Sequence, residues 1–579
     1  MPSYRIELAD RLTHQFRVTM TLRAPANEQG LSLPVWIPGS YLVREFARHL
    51  SGIEARQGPR SVRLEQTDKA RWLAHCAGNT PLQVSYRVYA FDTSVRAAFL
   101  DDERAFFNGT SLCLRAEGHE AAPHRIELAG LPRDWQVATA MAPVPGRTRV
   151  YEAADYDEAV DHPFEMGAFW RGAFEARGVP HEFVVAGAHA PFDGERLLAD
   201  AQRICEAQIA LWHGRGAKAR LPFERYVFAL NTVEEGRGGL EHRASTALLA
   251  PRRGLPRSGM GTLSEPYVDL LGLISHEYFH AWNVKRMRPS DFTRYDYTRE
   301  NNTRLLWFFE GFTSYYDDLM LLRCGAIDAP RYLALLAKTI NGVLATPGRF
   351  VQSLAQASFD AWIKFYRPDE NTPNATVSYY AKGALVGLAL DLQLREADAS
   401  LDALMRTLWK ATNGGPLDEA QILQAVEAAA GSALARDLSQ WVHGTQDPPL
   451  QHLLQGAGVS VQTEATGLAA GLGLRLSEGP ISGVQVKSVL ADSPAARAGI
   501  NVGDEVLAVD GWRIRRIDEA LQWSTRDRPL ELLLVRDQRL RTLTVVPDPR
   551  SPLRQQWRLG LDERASAAAL KRRRAWLGR

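Results

Sequence analysis

The six residues Ser275-His276-Glu277-Tyr278-Phe279-His280 set two imidazoles four positions apart with a carboxylate between them. They lie in an apolar run of helical period, Pro266 to Met287, so both histidines are expected on one helix face about a turn apart. Two imidazoles so placed can share one divalent ion. Zinc takes imidazole nitrogen, and a catalytic zinc site uses three protein ligands and leaves one position for water. Such a water has its pKa drawn towards ~7, and Glu277 beside it can take its proton as it attacks a peptide carbonyl. The chemistry expected is peptide hydrolysis with one Zn2+. The plain alternative is two unrelated core histidines, but with 14 histidines in the chain this spacing rarely arises by chance.

A third ligand is needed. Residues Ala281 to Arg286 contain no further histidine, so the metzincin pattern is absent and a downstream carboxylate must serve. Glu310 stands alone among apolar residues in Leu305-Leu-Trp-Phe-Phe-Glu-Gly-Phe-Thr-Ser-Tyr-Tyr316. A carboxylate buried there without a cation costs several kcal/mol. Glu300 is the rival, but Arg299, Asn301 and Asn302 around it make a solvated stretch, so Glu310 is favoured. Asp317, seven residues after Glu310, shares its helix face and reads either as a support for one histidine or as a surface acid beside Asp318.

The elements that hold these residues follow from periodicity. Up to about residue 170, short alternating runs such as His14 to Leu22 and Leu82 to Phe91 predict a half-buried antiparallel sheet. From about 195 to 450 the period is helical, clearest over 195–212, 266–287, 303–323, 329–344, 379–395 and 417–431. Two strand-like pieces, Arg225 to Leu230 and Ser245 to Leu249, precede the central helix and predict a small sheet against it. Gly456 to Gly471 has linker composition, and a compact β-rich unit follows to about 548. The expected division is 1–170, 171–455, 460–548 and a tail 549–579, in which Lys571-Arg-Arg-Arg574 reads as solvated.

With 579 residues the chain exceeds one core, so two to four domains are expected. A net charge of +2, with 45% apolar and 23% charged residues, supplies no field for nucleic acid or a membrane surface. No stretch approaches the ~20 apolar residues of a membrane span. Four scattered cysteines argue against a disulfide framework or a cysteine-built zinc site. The first residues alternate apolar and polar with acids among them, unlike a secretory signal, and point to a cytoplasmic protein.

Several motifs in order carry a family resemblance: Pro34-Val-Trp-Ile-Pro-Gly-Ser-Tyr41, Gly238-Gly-Leu-Glu-His242, His276 to Pro289, Glu310-Gly-Phe-Thr-Ser-Tyr-Tyr316 and Tyr380-Ala-Lys-Gly-Ala384. The chain resembles the gluzincin metallopeptidases, and within them the glycyl aminopeptidase family. The resemblance spans nearly the whole chain. It implies a multidomain α+β protein with an N-terminal antiparallel, sandwich-like β domain, a thermolysin-like catalytic domain with a helical region, and a C-terminal PDZ-like β domain. In the related larger aminopeptidase family a Gly-x-Met-Glu-Asn strand precedes the zinc helix and its glutamate holds the substrate's free amine. Here Gly239-Leu240-Glu241-His242 stands in that place, with leucine for methionine and histidine for asparagine. The resemblance thus makes Glu241 the amine anchor, a contact an internal peptide bond cannot make; the plain alternative is a structural acid at a strand end. It makes Tyr380 the donor to the tetrahedral oxyanion, a role worth ~3–4 kcal/mol. Tyr379 is adjacent, but the register of Lys382 and Gly383 selects Tyr380. Lys285, Arg286 and Arg288 are left without a role, since basic residues near a helix end also satisfy its dipole.

The segments 471–474, 484–486, 493–499 and Gly503-Asp-Glu-Val-Leu-Ala-Val-Asp-Gly511 resemble a PDZ domain. Such domains add a peptide as an extra strand and seat its carboxylate on backbone amides, here expected at Gly471, Leu472, Gly473 and Leu474. A purely structural PDZ is the alternative. The resulting expectation is a zinc aminopeptidase acting on peptides with a free N-terminus, with glycine or alanine preference implied by the family. The alternatives are a PDZ-assisted endopeptidase for unfolded chains and an inactive peptide-binding adaptor.

Overall fold

The computed structural model describes residues 1–78, 80–189, 192–214, 216, 220–479 and 481–578. The chain forms two compact units, Met1–Asn301 with Trp409–Leu417, and Asn302–Leu408 with Asp418–Arg579.

In the first unit the alternating runs form the expected β-rich region. Strand Gln15–Leu22 turns every second side chain inward, burying Phe16, Val18, Met20 and Leu22. It pairs antiparallel with Pro2–Asp10 in an eleven-stranded sheet beside a smaller four-stranded one. Pro2–Asp10 also pairs parallel with His124–Ala129, a long-range ladder that local alternation does not encode.

A mixed five-stranded sheet follows, in the order Trp170–Ala176, Val179–Ala186, Tyr226–Val233, Ser245–Pro251, Gly238–Glu241. Periodicity indicated two of these five, and the family resemblance a third, Gly238–Glu241. The three central strands are parallel, and Tyr226–Val233 is almost wholly buried, as a strand covered on both faces requires. Gly238–Glu241 forms the antiparallel edge. Helices Gly194–His213 and Glu265–Phe279 belong to this region; the second starts at Ser264, whose side chain accepts from the Tyr267 amide, with Pro266 in its first turn.

The periodicity expected this second helix to run to Met287, but it ends at Phe279 with His280 as its cap. Trp282 and Met287 keep the apolar pattern because they are buried in a turn, closed by Lys285 N to His280 O (3.0 Å) and Met287 N to Trp282 O (3.0 Å).

In the second unit, helix Leu306–Arg323 crosses helix Ala381–Glu396 at glycines: a Cβ on Gly311 would lie 2.6 Å from Gly383 Cα, and one on Gly383 2.7 Å from Trp307 O. The last thirty residues differ from a solvated tail. Strand Gln555–Leu561 pairs with Val459–Ala465, in the stretch read as linker, and helix Ala567–Leu577 buries Trp576. The Trp576 indole donates to Tyr315 Oη at 3.0 Å, while Arg572 and Arg573 donate to the Gly456 and Gly458 carbonyls. Lys571 and Arg574 are exposed, as charge alone predicts, whereas Arg572 and Arg573 are half-buried against those backbone oxygens. A separate core, including Val484, Val486, Val506, Leu530, Leu532 and Leu534, holds the sheet of the C-terminal β-rich unit expected to be PDZ-like, with Leu474–Gly479 at its edge. Among the described residues no helix is long and apolar enough to cross a membrane.

Candidate active site

The histidine helix is clamped from behind. Gln208, fully buried on helix Gly194–His213, donates to the Ser275 carbonyl (2.7 Å) and hydroxyl (2.9 Å), and Trp282 Nε1 donates to His213 Nε2 at 2.8 Å. Beside the helix, His181 Nε2 meets the Tyr278 hydroxyl at 2.9 Å, within an aromatic cluster with Phe223, Tyr226 and Phe228.

Thus held, His276 and His280 turn their Nε2 atoms to one point, 3.1 Å apart. Two nitrogens each ~2.0–2.1 Å from a shared tetrahedral zinc stand about 3.3 Å apart, so the pair fits that ion. His280 Nδ1 lies 2.8 Å from the Asn283 carbonyl, to which it donates, leaving the Nε2 lone pair for a metal. The donor set of this chain therefore suits zinc.

Next to the helix runs the edge strand Gly238–Glu241, paired antiparallel with Ser245–Pro251. Its backbone touches the helix: a Cβ on Gly239 would sit 1.9 Å from Glu277 Oε1. Glu277 is 5% and Glu241 4% exposed. Glu241, Glu277 and His280 each offer a ligand-type atom within 4.8 Å of the others. Gly39, at φ 92°, faces Glu241, whose two carboxylate oxygens lie 2.6 Å from where its Cβ would be. Arg96 donates to the Gly239 carbonyl at 3.3 Å. Gly39 lies in a motif singled out by sequence without a role, whereas Arg96 had no signal at all.

In the second unit Glu310 is 2% exposed on helix Leu306–Arg323, and Asp317 lies half-buried two turns on. Tyr380 caps helix Ala381–Glu396. Burial, with the Glu310 charge next, raises its hydroxyl pKa, so it remains a proton-bearing donor. Tyr379 is wholly buried, whereas Tyr380 is partly exposed. Glu300, in the first unit, is half-exposed outside any helix. Of the PDZ residues, Gly471 and Leu472 end the short helix Leu468–Leu472, Gly473 is left-handed at φ 81°, and Leu474 opens the edge strand.

Lys285, Arg286 and Arg288 take separate structural partners. Lys285 Nζ meets Asp161 at 2.6 Å, and Arg288 donates to the Lys285 carbonyl. Arg286 donates to the Arg243, Ala281 and Pro222 carbonyls, and burial pulls its pKa down to about 10.

Residues 3–168 match the Peptidase M61 N-terminal domain, residues 269–386 the M61 glycyl aminopeptidase, and residues 485–536 a PDZ domain. No curated protein matches the chain. A crystal structure of an aminopeptidase N family protein from Idiomarina loihiensis is 35% identical, with TM-score 0.93 and full coverage of both chains. An M1 zinc metallopeptidase from Deinococcus radiodurans is 17% identical, TM-score 0.48, over 78% of this chain and 94% of its own. An aminopeptidase A from Legionella pneumophila is 11% identical, TM-score 0.47, over 94% of this chain and 56% of its own. With a full-length relative at that identity and both peptidase segments matched in order, the chain belongs to the M61 glycyl aminopeptidase family of metallopeptidases.

Proposed function

We propose that the chain is a zinc aminopeptidase in which His276, His280 and Glu310 hold one ion, Glu277 is the general base, Tyr380 the oxyanion donor and Glu241 the amine anchor. The observation that carries this reading is the 4.8 Å grouping of Glu241, Glu277 and His280. In one residue the α-amine nitrogen and the carbonyl carbon are two bonds, about 2.5 Å, apart. An ammonium held by Glu241 therefore leaves only the first peptide bond beside Glu277.

A zinc ion there supplies Lewis acidity that activates a water and polarises the peptide carbonyl. Glu277 takes the proton from the attacking water and delivers it to the leaving nitrogen. Tyr380 donates a hydrogen bond to the carbonyl oxygen as charge develops on it. Asp317 is proposed to support a histidine, and Gly239 to offer its backbone to the substrate. Preference for N-terminal glycine or alanine belongs to this proposal through the family alone. Among the described residues none of the four cysteines forms a disulfide, which suits a reducing compartment, and cytoplasmic residence is proposed with it. The PDZ edge strand from Leu474 is the proposed seat of a second, extended peptide.

The test is turnover of matched free and N-acetylated peptides, with and without chelator. Cleavage of the free peptides alone, abolished by chelation, is expected. Equal cleavage of both would replace this reading with an endopeptidase.

A further inference from the structure

Asp161, 8% exposed, follows the short helix Tyr156–Val160 and gathers four donors. Its Oδ1 lies 2.6 Å from Lys285 Nζ and 3.2 Å from His242 Nδ1, and its Oδ2 accepts from Arg243 N (3.1 Å) and Nε (3.0 Å). Burial would raise its pKa, but Lys285, His242 and Arg243 outweigh that and keep it ionised.

Of these donors, Lys285 lies five residues after His280, and His242 directly follows Glu241. Lys285 follows Val284, whose φ of 121° is an outlier for a β-branched residue. Such a backbone persists only where its surroundings over-determine it. Here they are Val284 N to Met287 O (2.9 Å), Lys285 N to His280 O (3.0 Å) and the Lys285 to Asp161 ion pair. The peptide so held carries the Asn283 carbonyl, which receives His280 Nδ1. On the other side His242 follows Glu241, and side chains alternate faces at a strand end. A ring fixed on Asp161 therefore fixes the peptide that aims Glu241, and His242 N to Ser245 O (2.9 Å) closes the turn.

We propose that Asp161 is a positioning residue that holds the zinc ligand His280, through Lys285 and Asn283, and the amine anchor Glu241, through His242, in one frame. The proposal rests on the roles given above to His280 and Glu241. It gives Lys285 a purpose that charge at a helix end does not, and it accounts for histidine where the related strand has asparagine.

The two arms are separable. In Lys285→Met, zinc affinity, read by competition with a chromophoric chelator, is expected to fall roughly 10–100-fold, with KM for a free-amine aminoacyl substrate unchanged at saturating zinc. In His242→Leu, KM is expected to rise while zinc affinity holds. Asp161→Asn is expected to do both; should it fail to fold, the two single-arm variants carry the test. A wild-type zinc affinity in Lys285→Met, or a wild-type KM in His242→Leu, overturns the proposal. His280→Ala that keeps zinc, or Glu241→Gln that keeps its KM, overturns instead the site reading beneath it.

Discussion

Gly311 and Gly383 stand back to back where the Glu310 helix crosses the Tyr380 helix, so close that a methyl group on Gly311 would lie 2.6 Å from the Gly383 Cα. Each glycine is the residue after, or three after, a proposed site residue, so the crossing sets how the two side chains emerge. Backbone cannot rotate away as a flexible side chain can. Gly311→Ala is therefore expected to cost about 1–3 kcal/mol by overpacking and to lower the melting temperature. An unchanged melt would mean the helices can part freely.

Glu277→Gln keeps the size of the side chain and removes its basicity. Turnover is expected to fall by roughly 10²–10⁴-fold while zinc content, measured by atomic emission, stays stoichiometric. A variant that turns over normally would remove Glu277 from the reaction.

Gly39→Ala places a methyl group against both Glu241 oxygens and forces a left-handed φ on alanine. KM for free-amine substrates is expected to rise with zinc content intact. If KM is unmoved, the Pro38-Gly39-Ser40 loop does not shape the amine site.

Removing zinc with a chelator is expected to abolish turnover, and added zinc to restore it. It is also expected to lower the melting temperature, because an ion bound only by the folded chain stabilises it. Full activity in metal-free protein would end the metallopeptidase assignment.

His181 is buried, and desolvation pulls its pKa down to about 4 although its bond to the Val179 carbonyl opposes this. In the unfolded chain its pKa is about 6.5, so the unfolded state binds the proton first. Its contribution is full above pH 6.5 and is lost as pH falls towards 4, by about 3 kcal/mol across that window. Urea unfolding of wild type and His181→Phe should show a shallower pH slope in the variant between pH 6.5 and 4.

The convergence of His276 and His280 was legible because it is local. Four positions on a helix bring two imidazoles to one face whatever packs behind them, and the apolar neighbours of Glu310 announced its burial. Alternation likewise announced the first sheet. The end of the histidine helix was not legible, because Trp282 and Met287 continue its apolar period inside a turn. Nor was the C-terminal helix, where Arg572 and Arg573 look solvated until their carbonyl partners are seen.

Asp161 marks the other boundary of what could be read. It meets Lys285 across 124 residues, and nothing in Asp155 to His162 separates it from the other acids there. The sequence by itself determined the family, which two histidines share a helix face and the order of the domains, since motif spacing and side-chain chemistry act over a few residues. Only the tertiary structure decided which glycine faces which carboxylate, what restrains Val284 and which carbonyls Arg572 and Arg573 bind. Those depend on approach between distant segments, which burial of the whole core brings about and no local period records.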